Sequence, residues 1–142
     1  MVPLPQVTDS NSRIATTLPA GLVAVFVGAT NGVGETTVWQ FAKHAVRPRV
    51  YIIGRSREAG ERIVAECQAL NSEGTFVFVC RDLARMREVD AACEMIKGKE
   101  GSINLLFLSV GTLEISGGSS ALSSLTRLPT VAVFGLDVLT AE

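Results

Sequence analysis

Residues 22–34 read LVAVFVGATNGVG, and this stretch decides the fold. Its first six residues, Leu22 to Val27, are an unbroken apolar run too short for a helix. Such a run, closed by Gly28, predicts a strand buried on both faces. Gly28, Gly32 and Gly34 then follow with the spacing G-x-x-x-G-x-G. From Gly32 to Ala45 the apolar residues Val38, Phe41, Ala42 and Ala45 recur at helical spacing, and Pro48 lies beyond the point where that helix must stop. A glycine-rich turn between a buried strand and a helix suits a phosphate. The helix start offers unpaired N–H groups and a partial positive charge, and glycine lets the backbone approach an anion closely. The spacing differs from the G-x-G-x-x-G dinucleotide fingerprint, so the strand–loop–helix context carries the reading.

Outward from this unit the pattern repeats. Arg49 to Ile53 (RVYII) predicts a second strand, and Ser56 is placed to cap a helix over Arg57 to Leu70. Ala59, Ile63, Ala65, Cys67 and Leu70 supply its expected apolar side. Asn71 to Gly74 make a turn, and Thr75 to Cys80 (TFVFVC) predict a third strand. Ala84 to Lys97 predict a helix with Met86, Val89, Ala92, Cys93 and Ile96 as its buried stripe. Gly98 and Gly101 bracket its exit, and Ile103 to Val110 (INLLFLSV) predict a fourth strand. Alternating strands and helices with short connections imply right-handed parallel crossovers, hence a doubly wound parallel α/β sheet.

After residue 113 the composition changes. Ile115 to Ser124 are rich in serine and glycine without a clear period, and Thr130 to Leu139 (TVAVFGLDVL) are apolar again, a candidate fifth strand. The chain thus divides into an N-terminal extension (1–20), a dinucleotide-binding half (21–113) and a divergent tail (114–142). A fourth strand without its usual neighbour would expose an apolar edge, to be covered by residues 130–139 or by a partner chain.

The 142 residues fit one domain. Hydrophobic residues make up 47% and charged residues 19%, which argues against disorder. Thirteen basic and fourteen acidic residues form no basic stripe, so no nucleic-acid partner is expected. Cys67, Cys80 and Cys93 form no C-x-x-C pair, and the single His44 does not complete a zinc site with them. They read as buried, reduced thiols of an intracellular protein. The first 20 residues lack the apolar core of a signal peptide, and no 18-residue apolar run occurs. A cytoplasmic protein with no membrane partner is expected.

Three further positions bear on a ligand. The second strand ends Ile53-Gly54-Arg55, without the acid that would meet a ribose 2′-hydroxyl. Arg55 lies about 20 residues beyond the last glycine, where an arginine accommodates the 2′-phosphate of NADP. The plainer reading is a solvated arginine at a helix start. Asp82, just after the third strand, suits both an adenine contact and a helix N-cap. Glu35, in the first turn of its helix, is expected to face outward, away from any phosphate.

Together the motif Gly28-Ala-Thr-Asn-Gly32-Val-Gly34, Arg55, Asp82-Leu83 and Leu108-Ser109-Val110-Gly111 resemble the short-chain dehydrogenase/reductase family. Ser12 to about Leu113 look particularly like reductases of fungal secondary-metabolite pathways. The resemblance implies a Rossmann fold, here truncated after the fourth strand with an atypical tail, and NADP(H) at the carboxyl ends of the strands. It implies Gly28, Gly32 and Gly34 at the pyrophosphate, with Thr30, Asn31 and Val33 of the same loop also at the cofactor. Arg55 would meet the adenosine phosphate, Asp82 and Leu83 would lie by the adenine, and Ser109 to Gly111 would pass the nicotinamide ribose. Two departures stand out: Val27 where the family usually has Thr, and Leu-Ser-Val-Gly where it often has Asn-Asn-Ala-Gly.

The family's chemistry needs a Tyr-x-x-x-Lys pair on one helix face and a serine after the fifth strand. The only tyrosine is Tyr51, and no lysine follows Lys99. Tyr51 and Arg55 stand four apart by coincidence, on and just past a strand. Ser116, Ser119, Ser120, Ser123 and Ser124 have no base partner, and His44 belongs to a helix surface. The expectation is an NADP(H)-dependent oxidoreductase relative, truncated and inactive as it stands. The alternatives are an NADP-binding regulatory module without catalysis, or an active enzyme using other residues. A homo-oligomer or pairing with a full-length relative are the protein partners considered.

Overall fold

The structure, a computed structural model, describes residues 1–110 and 130–135. The LVAVFV run forms β1 (Val23–Val27), buried at all five positions. Flanking it are α3 (Gly32–His44), β2 (Arg49–Gly54), α4 (Arg57–Leu70), β3 (Thr75–Cys80), α5 (Met86–Lys97) and β4 (Leu105–Val110). A fifth strand, β5 (Thr130–Gly135), completes a sheet of order β3-β2-β1-β4-β5. The first four strands are parallel, with Val27 beside both Ile53 and Leu108. β5 runs antiparallel to β4, from Val110↔Thr130 to Leu105↔Gly135. It takes the edge that β4 would otherwise expose. The expected strand reached residue 139, but 136–142 lie outside the described residues.

The period-2 alternation of strand side chains sorts the core into two layers. Phe26, Ile52 and Phe76 meet Val38 and Ala42 of α3 and Ile63 and Cys67 of α4. The opposite face carries Val25, Val27, Ile53 and Val79 against Ala92 and Ile96 of α5. Because both faces are covered, the strands read as continuous apolar runs.

The helix stripes differ in part from expectation. On α4, Ala65 and Leu70 are exposed and Gly60 is buried instead, where a Cβ would strike the Phe78 ring. On α5, Met86 and Cys93 are exposed, and Met95 is half-buried against the core. Both mismatches follow from helical phase: one row of contacts suffices on a sheet, and the next residues of the apolar stripe turn to solvent. Cys80 is also exposed, so only Cys67 is a buried thiol, pushed up to about 11 by burial. Helix α5 starts at Met86 because Asp82 to Arg85 form a turn, with the Arg85 N–H donating to the Asp82 carbonyl at 3.2 Å. β4 starts at Leu105. Just before it, Asn104 fastens the strand entrance to β1: its N–H donates to the Val23 carbonyl, and its Oδ1 accepts from the Val23 N–H, both at 2.9 Å.

The extension forms two short helices, α1 (Leu4–Ser12) and α2 (Ile14–Thr17), without a buried residue. Among the described residues no helix is long and apolar enough to cross a membrane.

At the amino-terminal edge of the sheet, Tyr51 donates to Glu100 at 2.7 Å and Arg49 pairs with the same carboxylate at 2.9 Å. The Glu100 side chain is only 4% exposed, so these two partners compensate its desolvation. Burial first, then the Glu100 hydrogen bond, pushes the Tyr51 phenol up to about 12. This tyrosine is a structural tie from β2 to the exit of α5. It is not free to act as an acid or base.

Candidate functional site

In an open α/β sheet, ligands bind beyond the carboxyl ends of the strands where the strand order reverses. That point here is the crevice between β1 and β4, where the order β3-β2-β1 gives way to β4 on the other side of β1. The loop after β1 enters it. Gly28 has φ of 77° and Gly32 of 56°, a left-handed conformation that strains other residues. Gly34 answers a different need: a Cβ there would stand 2.7 Å from the Ala29 Cα, so its absence lets α3 start flush against the loop. In front of Gly32 a Cβ would meet nothing within 4 Å, so the first N–H groups of α3 face open space. Asn31 is the N-cap without a side-chain cap bond, which leaves those donors free for an anion.

A cleft of about 1140 Å³ opens from this loop along the α5 face of the sheet. It exceeds the roughly 300–1,000 Å³ usual for small-molecule sites. Of the expected site residues, Gly28, Thr30, Asn31, Arg55, Asp82, Leu83 and Ser109 line it. Gly32 and Val33 lie exposed at the helix start, and Gly34 is buried beneath the loop. Gly111 falls outside the described residues. Below the polar mouth the walls are apolar, with Val25, Val27, Ile53, Leu106 and Leu108 facing Val89, Ala92 and Ile96.

Two readings of single residues change. Asp82 is not the cap of α5, because Arg85 holds that position; its Oδ1 accepts from the Ala84 N–H at 3.3 Å and the residue stays half-buried at the cleft. Glu35 does not face outward. Its carboxylate, 13% exposed, pairs with Arg62 of α4 at 2.7 Å, since α4 packs beside α3 and brings a cation to it. That pairing turns its charge away from the loop, and Arg62, held also by Glu66, is stabilised in its charged form.

Sequence reading missed Arg81 and Arg85. β2 and β3 pair with Gly54 beside Cys80, and the Arg81 N–H donates to the Gly54 carbonyl at 2.9 Å. The parallel register therefore sets Arg81 next to Arg55. Aligning the ends of the second and third strand runs would have found this neighbour.

The family model for short chain dehydrogenases matches residues 22–134, so the chain belongs to the short-chain dehydrogenase family. The match runs past residue 113 and takes in all of β5 but Gly135. An oxidoreductase of Emericella nidulans is 36% identical over 128 residues, covering 90% of this chain and 38% of that protein. An oxidoreductase of Emericella variicolor is 39% identical over 104 residues, covering 73% of this chain and 28% of its own length. The chain therefore spans well under half of these relatives. In fold it is similar to an N-terminal ketoreductase from the macrolactin assembly line (TM-score 0.61, 20% identity, 75% of this chain and 23% of that one). It is likewise similar to L-sorbose reductase of Gluconobacter frateurii, solved with NADPH and L-sorbose (TM-score 0.58, 21% identity, 74% of this chain and 40% of that one).

Proposed function

We propose that this chain is the NADP(H)-binding part of a short-chain dehydrogenase/reductase-type oxidoreductase of fungal secondary metabolism. The observation that carries the reading is the convergence on one cleft of the glycine loop, Arg55, Asp82, Leu83 and Ser109. The N–H groups at the start of α3 suit a pyrophosphate. Arg55 after β2 suits a phosphate on the adenosine ribose, and Asp82 and Leu83 suit an adenine edge and face. Ser109, at the end of β4, suits the nicotinamide half. When bound, the dinucleotide supplies hydride chemistry. The residues of this chain hold and orient it.

The proton relay of the family is a separate matter. Tyr51 is tied to Glu100 inside the sheet, and no other tyrosine is present. These 142 residues therefore bind without turning over a carbonyl or alcohol by themselves. A location in the cytoplasm belongs to the same proposal.

Fluorescence titration of the purified chain with NADPH and NADH tests it, with Arg55→Ala as control. Saturable NADPH binding weakened by that substitution is expected, together with no NADPH consumption over a panel of carbonyl compounds. Folded protein that binds neither coenzyme overturns the cofactor assignment. Steady turnover overturns the separation of binding from catalysis.

A further inference from the structure

Beside the main cleft lies a smaller groove of about 410 Å³, lined by Arg55, Cys80, Arg81, Asp82, Arg85 and Glu88. Three arginines from two connections, β2–α4 and β3–α5, meet here. Arg55 follows β2, Arg81 follows β3 one register step beyond Gly54↔Cys80, and Arg85 is returned to the groove by the Asp82–Arg85 turn. The groove shares Arg55, Arg81 and Asp82 with the main cleft, so a ligand in one can reach the other. Arg81 pairs with Glu88 at 3.0 Å. Among the described residues neither Arg55 nor Arg85 has a carboxylate within ion-pairing distance. Two uncompensated guanidinium groups and a third with a displaceable partner describe a seat for a compact dianion.

We infer that Arg81 and Arg85 join Arg55 in holding a phosphate monoester on the adenosine ribose, and that Glu88 is the internal anion this phosphate displaces from Arg81. The inference rests on the proposed dinucleotide site and names residues that set its coenzyme preference. A phosphate monoester carries between one and two negative charges at neutral pH. Glu88 then tempers the preference, because only the phosphorylated coenzyme has to displace it. A coenzyme without the ribose phosphate leaves the Arg81–Glu88 pair intact, whereas one with it gains Arg81 at the expense of a half-exposed ion pair of small worth. Rejection of the unphosphorylated coenzyme is thus weak, and preference comes from what the phosphate gains.

The test is equilibrium binding of NADPH, NADH, adenosine 2′,5′-bisphosphate and AMP to the 142-residue chain and its variants. Arg85→Ala and Arg81→Ala are each expected to weaken NADPH and the bisphosphate by about tenfold, while NADH and AMP change less than about twofold. Glu88→Gln is expected to tighten the two phosphorylated probes a few-fold and leave the others unchanged. Binding of NADPH should also fall more steeply with salt than binding of NADH. All three side chains are at the surface or half-buried, so unchanged circular dichroism is expected to accompany each change. If both coenzymes bind but Arg85→Ala and Glu88→Gln shift them equally or not at all, the three-arginine seat is wrong and the dinucleotide site stands. If the unaltered chain binds none of the probes, the site itself is wrong and the seat falls with it.

Discussion

The two faces of the sheet differ in how completely the described residues cover them. On the α3/α4 face, Phe26, Ile52, Val38, Ile63 and Cys67 are wholly buried and close-packed. On the α5 face, equally apolar residues such as Leu106 and Leu108 remain partly open to a cleft. Both faces come from the same strands, residue by alternate residue, so apolar composition is not what separates them. The packed face is a core, whose worth lies in stability. The open face keeps its apolar wall beside a glycine loop and three arginines, where a ligand can use it.

Truncation mutants measure that difference. Phe26→Ala is expected to cost about 3–5 kcal/mol in denaturant unfolding, because Phe41, Phe107 and Ile52 close around it. Leu108→Ala is expected to cost about half as much or less, since its side chain is already partly in contact with solvent. Equal losses at the two positions would break the contrast between the faces.

The loop that joins the two regions is next in size. Gly34→Val should destabilise the chain by about 1–3 kcal/mol, since a side chain there meets the Ala29 backbone. It should also abolish NADPH binding, by lifting the start of α3 from the loop. Retained binding would separate α3 placement from phosphate capture.

Under the open face, Tyr51→Phe is expected to cost about 1–2 kcal/mol at neutral pH by depriving buried Glu100 of a donor. The alkaline limb sharpens this. The Tyr51 phenol is raised from 10.0 to about 12, so the stability it contributes is whole below pH 10 and lost as pH rises toward 12. Cys67, raised from 9.0 to about 11, acts in the same direction from pH 9 upward. Unfolding free energies across pH 9 to 12 should therefore fall in the unaltered chain and fall less in Tyr51→Phe, with the Cys67 part remaining. Identical slopes would remove Tyr51 from the alkaline transition.

The smallest effect belongs to neither face. Arg57 and Glu61 pair at 3.6 Å on the outside of α4 with both side chains well exposed, and Arg57→Ala should change stability by less than about 0.5 kcal/mol. A larger loss by the same denaturant measurement would mean that the surface contributes more than its geometry indicates.

The parallel strands and the loop were legible in the sequence because both faces of those strands are apolar and the loop needs glycine. Thr75 to Cys80 was readable to the residue for that reason, and Arg57 to Leu70 because Ser56 caps the helix and Asn71 to Gly74 turn the chain at its end. Less legible was anything that depends on which residues become neighbours across the fold. Glu35 looks free in the sequence until α4 brings Arg62 to it. Arg81 looks like any polar residue after a strand until the register sets it beside Arg55. Cys80 and Cys93 look like core residues until the end of β3 and the phase of α5 turn them to solvent. Period and glycine content are local properties, whereas a site assembled from four strand ends is not.

Amide chemical-shift mapping of the labelled chain during NADPH titration tests the open cleft most directly. Saturable shifts are expected at Gly28, Gly32 to Gly34, Arg55, Asp82, Leu83 and Ser109, with the outer surface of α4 unmoved. Shifts confined to other surfaces, or none in a folded chain, would contradict the assignment of this cleft to a dinucleotide.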